Sequence, residues 1–455
     1  MEDNKKDVPE SPMMSEEGKQ ELYMYSVLKM AKGNSDSMRN PLTGLYGLKP
    51  FLFNANELMK NLFDSKFAVI RMDIYRFKTV NEFCGRKAGD ELLKYIADTF
   101  REFESDNTIV GHLRADIFAM CVSFEDTQNL IDIVSYIKNK IDQYNISCKI
   151  LPAFGMCISK DGMDASLMLD YADIAMQEIK GKVFRFYAFY DDNMRKNMLY
   201  EKKIENEILG AIESDYIKTY VQPKVDMRSG KIVGGEALVR WRHPADGFIY
   251  PDKFIPVLEK SGYILDVDKY IWKSICMFLG SRKENNKPIV PISVNVSRMH
   301  VYHGTFTKYL CHLVEKFNIS PEYIPLEVTE SAFTEKEWDL YKKMHYLQRK
   351  GFRVSMDDFG SGYSSLNMLK DENVDEVKID KKFIDTINDN NSRIVIRHVI
   401  SMLRELGIDI IVEGVETKEQ ADFLMENGCF YAQGYLYYKP MPIEEFGELL
   451  EKQQK

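Results

Sequence analysis

No stretch of this sequence approaches the roughly 20 consecutive apolar residues that a helix needs to cross a bilayer. Its acidic N-terminus lacks the basic start and apolar core of a signal peptide, so the expectation is a cytoplasmic protein. Cysteine is scarce and unpaired in spacing: Cys84, Cys121, Cys148, Cys157, Cys276, Cys311 and Cys429 sit singly, mostly among apolar neighbours. That excludes a disulfide framework and a Cys-ligated zinc site, and predicts buried thiols. Clustered Lys and Arg are also missing, and the net charge is −9. Duplex nucleic acid is therefore excluded as a partner, because nonspecific phosphate binding rests on such clusters. No short-period repeat is present. What remains is an ordinary globular composition, 45% hydrophobic and 29% charged over 455 residues, enough for two or three domains.

The C-terminal half carries a series of apolar, strand-like runs, each ending in a carboxylate, an amide or a lysine. They are IVGGEALVRW with Glu236, PISVNVS with Asn295, IPLEVTES with Glu327, FRVSMDDFG with Asp357 and Asp358, EVKID with Lys378, IDIIVEGVE with Glu413, and YAQGYLY with Gln433. Polar tips on successive strands separated by helix-like stretches predict a (β/α)8 barrel of about 250 residues whose active-site face gathers ligands from the strand ends. Adjacent Asp357 and Asp358 would point to opposite faces of a regular strand, but at a strand end opening into Gly-Ser-Gly both can turn inward. Every candidate ligand is an oxygen donor. Hard ions, Mg2+ or Mn2+, are favoured over zinc, and a histidine base is not the first choice. Two such ions about 3.5–4 Å apart clamp a phosphodiester and activate water, so phosphate-ester hydrolysis is the expected chemistry. Lys378 lies inside a barrel-like strand, where an unpaired ammonium is costly; it should face carboxylates, water or phosphate. His243 and His300 fall at no strand tip and read as structural.

The same residues resemble the EAL domain, the cyclic di-GMP phosphodiesterase family. Glu236-Ala237-Leu238 is followed by VRWRHP, with QPKVD ahead and SVNVS, LEVTES, DDFGSGYSSL, KID, EGVET and QGY behind, over about residues 206–450. The resemblance implies that Glu236, Asn295, Glu327 and Asp357 hold one metal, and that Asp357, Asp358 and Glu413 serve the second. Glu413 is alternatively the general base. It further implies that Lys378 orients the attacking water, that Gln433 supports the site, and that Gln222 and Arg240 contact the dinucleotide, Arg240 through a phosphate. Glu330 would anchor the DDFGSGYSSL loop, which in the family couples the metal site to a dimer interface; Gly360 and Gly362 give that loop its freedom. A homodimer through this domain is expected. No position departs from the family pattern.

Ahead of it, residues 40–185 alternate strands and helices without the strand-end series. FAVIRMDIYRFK is a strand bearing Asp73, and IVGHLRADIFAMCVSF reads as two strands around a tight turn that brings Asp116 near Asp73. With NPLTGLYG, FKTVNEFCGRKAGDELL and YADIAMQEIKGK, the segment resembles a GGDEF domain, the diguanylate cyclase family, which implies an α+β, palm-type nucleotide-cyclase fold. Its signature is damaged. Where that family has Gly-Gly-Asp-Glu-Phe, this chain has Arg114-Ala115-Asp116-Ile117-Phe118. Side chains stand where backbone must approach nucleotide, and an acid used for metal binding is gone, so cyclase activity is expected to be absent. Ser105 and Thr108 replace the inhibitory-site Arg and Asp, so product feedback should be absent. Asn81 and Asp90 match guanine contacts, Asp73 a metal ligand and Lys180 a phosphate contact: the domain is either a GTP-binding regulator or a packing and dimerisation scaffold. Residues 186–205 read as a charged helical connector, and 206–455 as the phosphodiesterase domain. Within 1–39, EEGKQELYMYSVLKMAKG predicts a helix stopped by Gly33, packed on the next domain or serving as a dimerising signalling helix. The alternative to the enzyme is a non-hydrolysing cyclic di-GMP receptor or scaffold.

Overall fold

Apolar runs that alternate with amphipathic helices produce two separate sheets. The computed structural model describes residues 39–62, 64–301, 305–330, 338–360 and 374–453. The helix expected before Gly33, and Gly362 with the rest of its loop, lie outside the described residues. The chain divides into units at Leu199/Tyr200.

In the first unit, β1 (Lys66–Ile74) is flanked by β3 (Ile117–Phe124) and β4 (Pro152–Ile158), both antiparallel to it. β2 (Thr108–Arg114) and β5 (Tyr187–Phe189) complete the order β2-β3-β1-β4-β5. Strand β1 is buried on both faces because period-2 alternation sends its side chains into two cores. Ala68, Ile70 and Met72 meet α3 (Arg86–Arg101) and α4 (Thr127–Gln143); Phe67 and Val69 meet α1 (Leu48–Asn61) and α5 (Ala165–Gln177). Asp126 and Asp164 cap α4 and α5, accepting from the Gln128 and Leu167 backbone N–H groups, which ends each preceding loop where its helix begins. The short helix α2 (Phe77–Cys84) fills the β1–α3 connection. The stretch 186–205, which reads in sequence as a charged helical connector, differs at its start: Tyr187–Phe189 pairs in parallel with Phe154–Met156 as the edge strand, and helix α6 (Asp192–Glu213) follows. Aromatic neighbours Phe186, Tyr187 and Phe189 decide this, since they pack on the first core.

The second unit is a closed barrel of β6 (Ile217–Asp226), β7 (Lys231–His243), β9 (Ile292–Asn295), β10 (Leu326–Thr329), β11 (Val354–Phe359), β12 (Glu376–Ile379), β13 (Asp409–Glu413) and β14 (Tyr431–Gln433). Two short strands, β8 (Gly247–Ile249) and β15 (Met441–Pro442), pair with β7 and β6. One strand departs from an all-parallel barrel: β6 runs antiparallel to β7 and β14. Its cause is local. The turn after Asp226 closes with Gly230 N–H donating to Asp226 O at 2.8 Å, and so short a link can join only antiparallel strands. Around the rest of the ring, alternation turns Ile292 and Val294, Leu326 and Val328, Val354 and Met356, and Val377 and Ile379 into the apolar core. The intervening residues, Ser293, Glu327, Ser355, Glu376 and Lys378, meet one another inside the barrel, so the interior is polar.

Candidate active site

Lys378 is the centre. Its ammonium is fully buried, and its Nζ lies 2.8 Å from Glu327 Oε2, 3.0 Å from Asp357 Oδ1, 3.2 Å from Glu236 Oε2 and 2.5 Å from Glu413 Oε1. Four strands besides its own therefore deliver a carboxylate to one point. Burial opposes the charge on Lys378, but these carboxylates overcome it and hold its pKa well above the usual lysine value.

Around this centre the amides form a chain. Gln433 Nε2 donates to Glu236 Oε2 at 2.6 Å and to Gln222 Oε1 at 3.1 Å, while Gln222 Nε2 donates to Tyr438 O at 3.2 Å. Asn295 Nδ2 donates to Glu236 Oε1 at 3.5 Å. Trp272 Nε1 holds the Asn295 carbonyl at 2.9 Å, and Trp272 itself packs on His300, which is buried and paired with Asp268 at 3.0 Å. His300 is thus a structural prop beneath the Asn295 turn. His243 accepts from Ala245 and Asp246 backbone N–H groups, closing the turn after β7.

Asp357 and Asp358 both line the cleft. The β11–β12 register shifts between Met356 and Phe359, and Asp358 has φ +56, a left-handed conformation of order 1–3 kcal/mol above an ordinary one for a residue with a side chain. This bulge turns both carboxylates to one side. Gly360 follows with φ +93, and a β-carbon there would lie 1.8 Å from the Phe383 ring, so only glycine fits. Gly360 N–H donates to buried Glu330 Oε2 at 3.1 Å, tying the start of the loop to the end of β10.

Several residues that sequence reasoning passed over sit beneath this layer. Lys224, one alternation from Gln222 on β6, is buried and pairs with Glu327 Oε1 at 2.9 Å and Glu376 Oε1 at 3.3 Å. Ser293 Oγ donates to Glu327 Oε1 at 2.5 Å, and Ser355 Oγ to Glu376 Oε1 at 2.9 Å. The i, i+2 spacing of Gln222 and Lys224 was the available signal. Burial would raise Glu327, yet Lys224 and Lys378 together hold its pKa to about 2.

The lysines do not balance the site. Glu236, Glu327, Asp357, Asp358 and Glu413 outnumber Lys224 and Lys378. The surplus shows in Glu236, pushed up to about 8 by burial and then by Glu327, and in Asp358, pushed up to about 6 by burial and then by Asp357. Gln433 Oε1 is buried and has no hydrogen-bond partner among the described residues. Excess negative charge, an unanswered oxygen and an all-oxygen donor set suit a hard dication. Among the described residues no three acidic, His or Cys groups stand ready around an empty point, because the oxygens are drawn in on the Lys378 ammonium. Beside the carboxylates a cleft of about 640 Å3 runs past Arg240, Ile255, Val267, Asn295 and Thr329. Arg240 is half-buried, donates Nη1–H to the Val239 carbonyl at 2.8 Å, and lies over the Tyr220 ring. Burial lowers its pKa from the usual arginine value.

The corresponding acids of the first unit are differently placed. Asp73 Oδ2 is tied to Lys180 Nζ at 2.6 Å, while its buried Oδ1 has no hydrogen-bond partner among the described residues. The Ile74 N–H donates to Asp116 Oδ2 at 3.2 Å, which brings the two acids together as the two-strand reading required. Burial, then Asp73, raises the Asp116 pKa. Ala115 sits at φ +46, where glycine would be unstrained, and Ile117 is buried in the sheet. Asn81 on α2 abuts Gly89, where a β-carbon would fall 1.9 Å from its Oδ1, and Asp90 is exposed on the next residue.

The comparisons with known proteins follow the same division. Residues 205–440 match the model of the EAL domain, and residues 37–184 match that of the diguanylate cyclase, GGDEF domain. The chain is 30% identical over 388 residues to the bifunctional diguanylate cyclase/cyclic di-GMP phosphodiesterase MucR of Pseudomonas aeruginosa, covering 84% of this chain and 57% of MucR. It is 28% identical over 391 residues to the cyclic di-GMP phosphodiesterase NbdA of the same organism, covering 84% of this chain and 50% of NbdA. To the signaling protein YkoW of Bacillus subtilis it is 30% identical over 399 residues, covering 85% of this chain and 49% of YkoW. The chain thus spans about half the length of these curated relatives. The solved structure of the MucR phosphodiesterase in complex with c-di-GMP matches with a TM-score of 0.51 at 32% identity, covering 54% of this chain and 99% of that one. Among the described residues no helix is long and apolar enough to cross a membrane.

Proposed function

Because the chain belongs to the EAL-domain family, with a GGDEF domain ahead of it, we propose that it hydrolyses cyclic di-GMP to linear pGpG. The observation that carries this reading is the convergence of Glu236, Glu327, Asp357 and Glu413 on Lys378 beside a cleft that holds Arg240. Glu236, Asn295, Glu327 and Asp357 would hold one Mg2+ or Mn2+, and Asp357, Asp358 and Glu413 a second. Bound dications supply an acidified water and neutralise charge on the phosphodiester.

This chain's own residues do the rest. Arg240 presents a planar fork to a phosphate at the cleft wall. Gln433 and Gln222 fix Glu236 through consecutive amide hydrogen bonds, so its oxygens do not wander. Lys378 collects the carboxylates and orients the attacking water among them. Of its four partners Glu413 has the most exposed side chain, 24% against 13% or less for the others, and burial raises its pKa. Both properties suit the group that takes the proton from water. Water adds to phosphorus, the ribose 3′ oxygen leaves, and the ring opens.

The first unit supplies no cyclase in this reading: Ile117 stands where an acid would be needed and Arg114 where backbone would approach nucleotide. GTP recognition through Asn81, Asp90 and Lys180 requires a phosphate to draw Lys180 from Asp73. Calorimetry with GTP tests it, and heat that is absent, or unchanged by Asp90→Ala, removes the regulatory role and leaves a scaffold. A second reading, a receptor that binds cyclic di-GMP without turnover, draws on the ion pairing that already occupies each carboxylate of Lys378. Chromatography of products with Mg2+ or Mn2+, beside Glu236→Ala and with or without GTP, separates the two. Release of pGpG only with Glu236 intact is the enzyme; binding without turnover under either metal is the receptor.

A further inference from the structure

Cys84 and Cys148, read above as isolated buried thiols, meet in the first unit. Their sulfurs lie 3.1 Å apart although the residues are 64 positions apart in the chain, and both are only half-buried. Closing that gap by about 1 Å reaches the roughly 2.0 Å of a disulfide bond. The other described cysteines are not arranged in this way: Cys121, Cys157, Cys276 and Cys429 are buried and Cys311 is half-buried, none has another cysteine as a hydrogen-bond partner among the described residues, and burial raises each thiol.

The surroundings divide the work between the two sulfurs. Cys84 is the last residue of α2, at a turn continued by Gly85 with φ +86, and its sulfur is 3.4 Å from Ser147 Oγ. Hydrogen bonding with Ser147, then with Cys148, lowers its pKa, whereas burial, then Cys84, pushes Cys148 up to about 11. Cys148 also lines a cleft of about 340 Å3 that carries Lys138, Lys149 and Lys182 along with Asp142, an approach suited to a small anionic molecule.

We propose that Cys84 and Cys148 form a reversible disulfide with a low-molecular-weight anionic disulfide as oxidant, clipping α2 to the segment before β4. The Cys84 thiolate attacks one sulfur of the small disulfide, forming a mixed disulfide and expelling one small thiolate. The Cys148 thiolate then attacks Cys84 Sγ and expels the second. Two electrons pass from the protein pair to the small disulfide, and the protons of the two protein thiols end on the two small thiols. The clip fixes the α2–α3 turn between Asn81 and Asp90 to the segment before β4. A reducing environment keeps the pair open, so the bond is a signal of oxidation and not a structural staple.

The test uses the full chain titrated with oxidised glutathione. After denaturation and alkylation, maleimide counting should find two of the seven thiols lost, and peptide mapping should find Cys84 joined to Cys148. Dithiothreitol should restore both. Cys84→Ser should lose no thiol pair, and Cys148→Ser should stop at a mixed disulfide on Cys84. Amide exchange over residues 77–90 and 144–151 should slow at least about threefold on oxidation in wild type and not in either variant. Retention of all seven thiols across the titration, or a bridge between other cysteines, overturns the proposal. Thermal unfolding of the first unit in the reduced variants, compared with reduced wild type, reports their folding; because neither cysteine belongs to the barrel, absence of cyclic di-GMP turnover would be distinguishable from failure of the clip.

Discussion

The two units each gather acidic side chains at the ends of strands, yet they do so with opposite results. In the barrel, Glu236, Glu327, Asp357 and Glu413 arrive from four strands and share Lys378, with Lys224 beneath them. In the first unit, Asp73 is spent on Lys180, its second oxygen has no partner among the described residues, and a buried Ile117 follows Asp116. Both units nevertheless have complete apolar cores. Packing and chemistry are thus separable: a fold stands on its burial alternation whatever charges its site carries, because the core contributes the larger share of the free energy.

The sharpest way to break this contrast is metal removal. Chelation should take cyclic di-GMP hydrolysis below detection and lower the unfolding temperature of the barrel alone, both recovered with Mg2+ or Mn2+, as calorimetry and product chromatography would show. Loss of activity without any barrel shift would break it. Next, Lys378→Met should reduce kcat by about 1,000-fold or more and destabilise the metal-free barrel by roughly 3–5 kcal/mol, since buried carboxylates lose their cation. The matched Lys180→Met should leave hydrolysis within about twofold. Asp358→Asn should reduce kcat by about 100-fold while leaving the metal-free barrel as stable or more stable, because it removes a repelled carboxylate where Asn tolerates the left-handed backbone. Lys224→Met should weaken metal binding by about 10–100-fold with a smaller change in KM, measured by metal titration of kcat.

The smallest effect belongs to the first unit. His112 is buried, with Nδ1 3.0 Å from Thr43 Oγ1 and Nε2 2.6 Å from the Ala115 carbonyl, so the neutral ring both accepts and donates. Burial lowers its pKa from 6.5. The unfolded chain takes up the proton first. Stability from this group is therefore fully present above about 6.5 and is lost as pH falls through the lower folded value. Denaturant unfolding between pH 7.5 and 5 should show the first unit losing stability that the His112→Gln variant does not lose.

Much of this was legible in the linear order of residues. Alternation in IPLEVTES and EVKID separated outward Leu326, Val328, Val377 and Ile379 from inward Glu327 and Lys378, because the period of a strand is two whatever its partners. The lesion at Arg114-Ala115-Asp116-Ile117 was equally plain, since it changes residue type at a turn fixed by local backbone geometry. The aromatic run 186–189 was misjudged as helix because its strand pairing is nonlocal.

The sequence by itself determined which side chains the barrel could offer, an all-oxygen set with Lys378 inside a strand, and that Ile117 follows Asp116 in the first unit. Only the tertiary structure decided that β6 runs backwards and delivers Lys224 to Glu327, that Asp358 leaves the regular strand so that both aspartates face the cleft, and that Cys84 meets Cys148. The reason is physical. Residue type and period are properties of a short segment, whereas register, bulges and the meeting of groups many positions apart follow from how completed strands and helices close on one another.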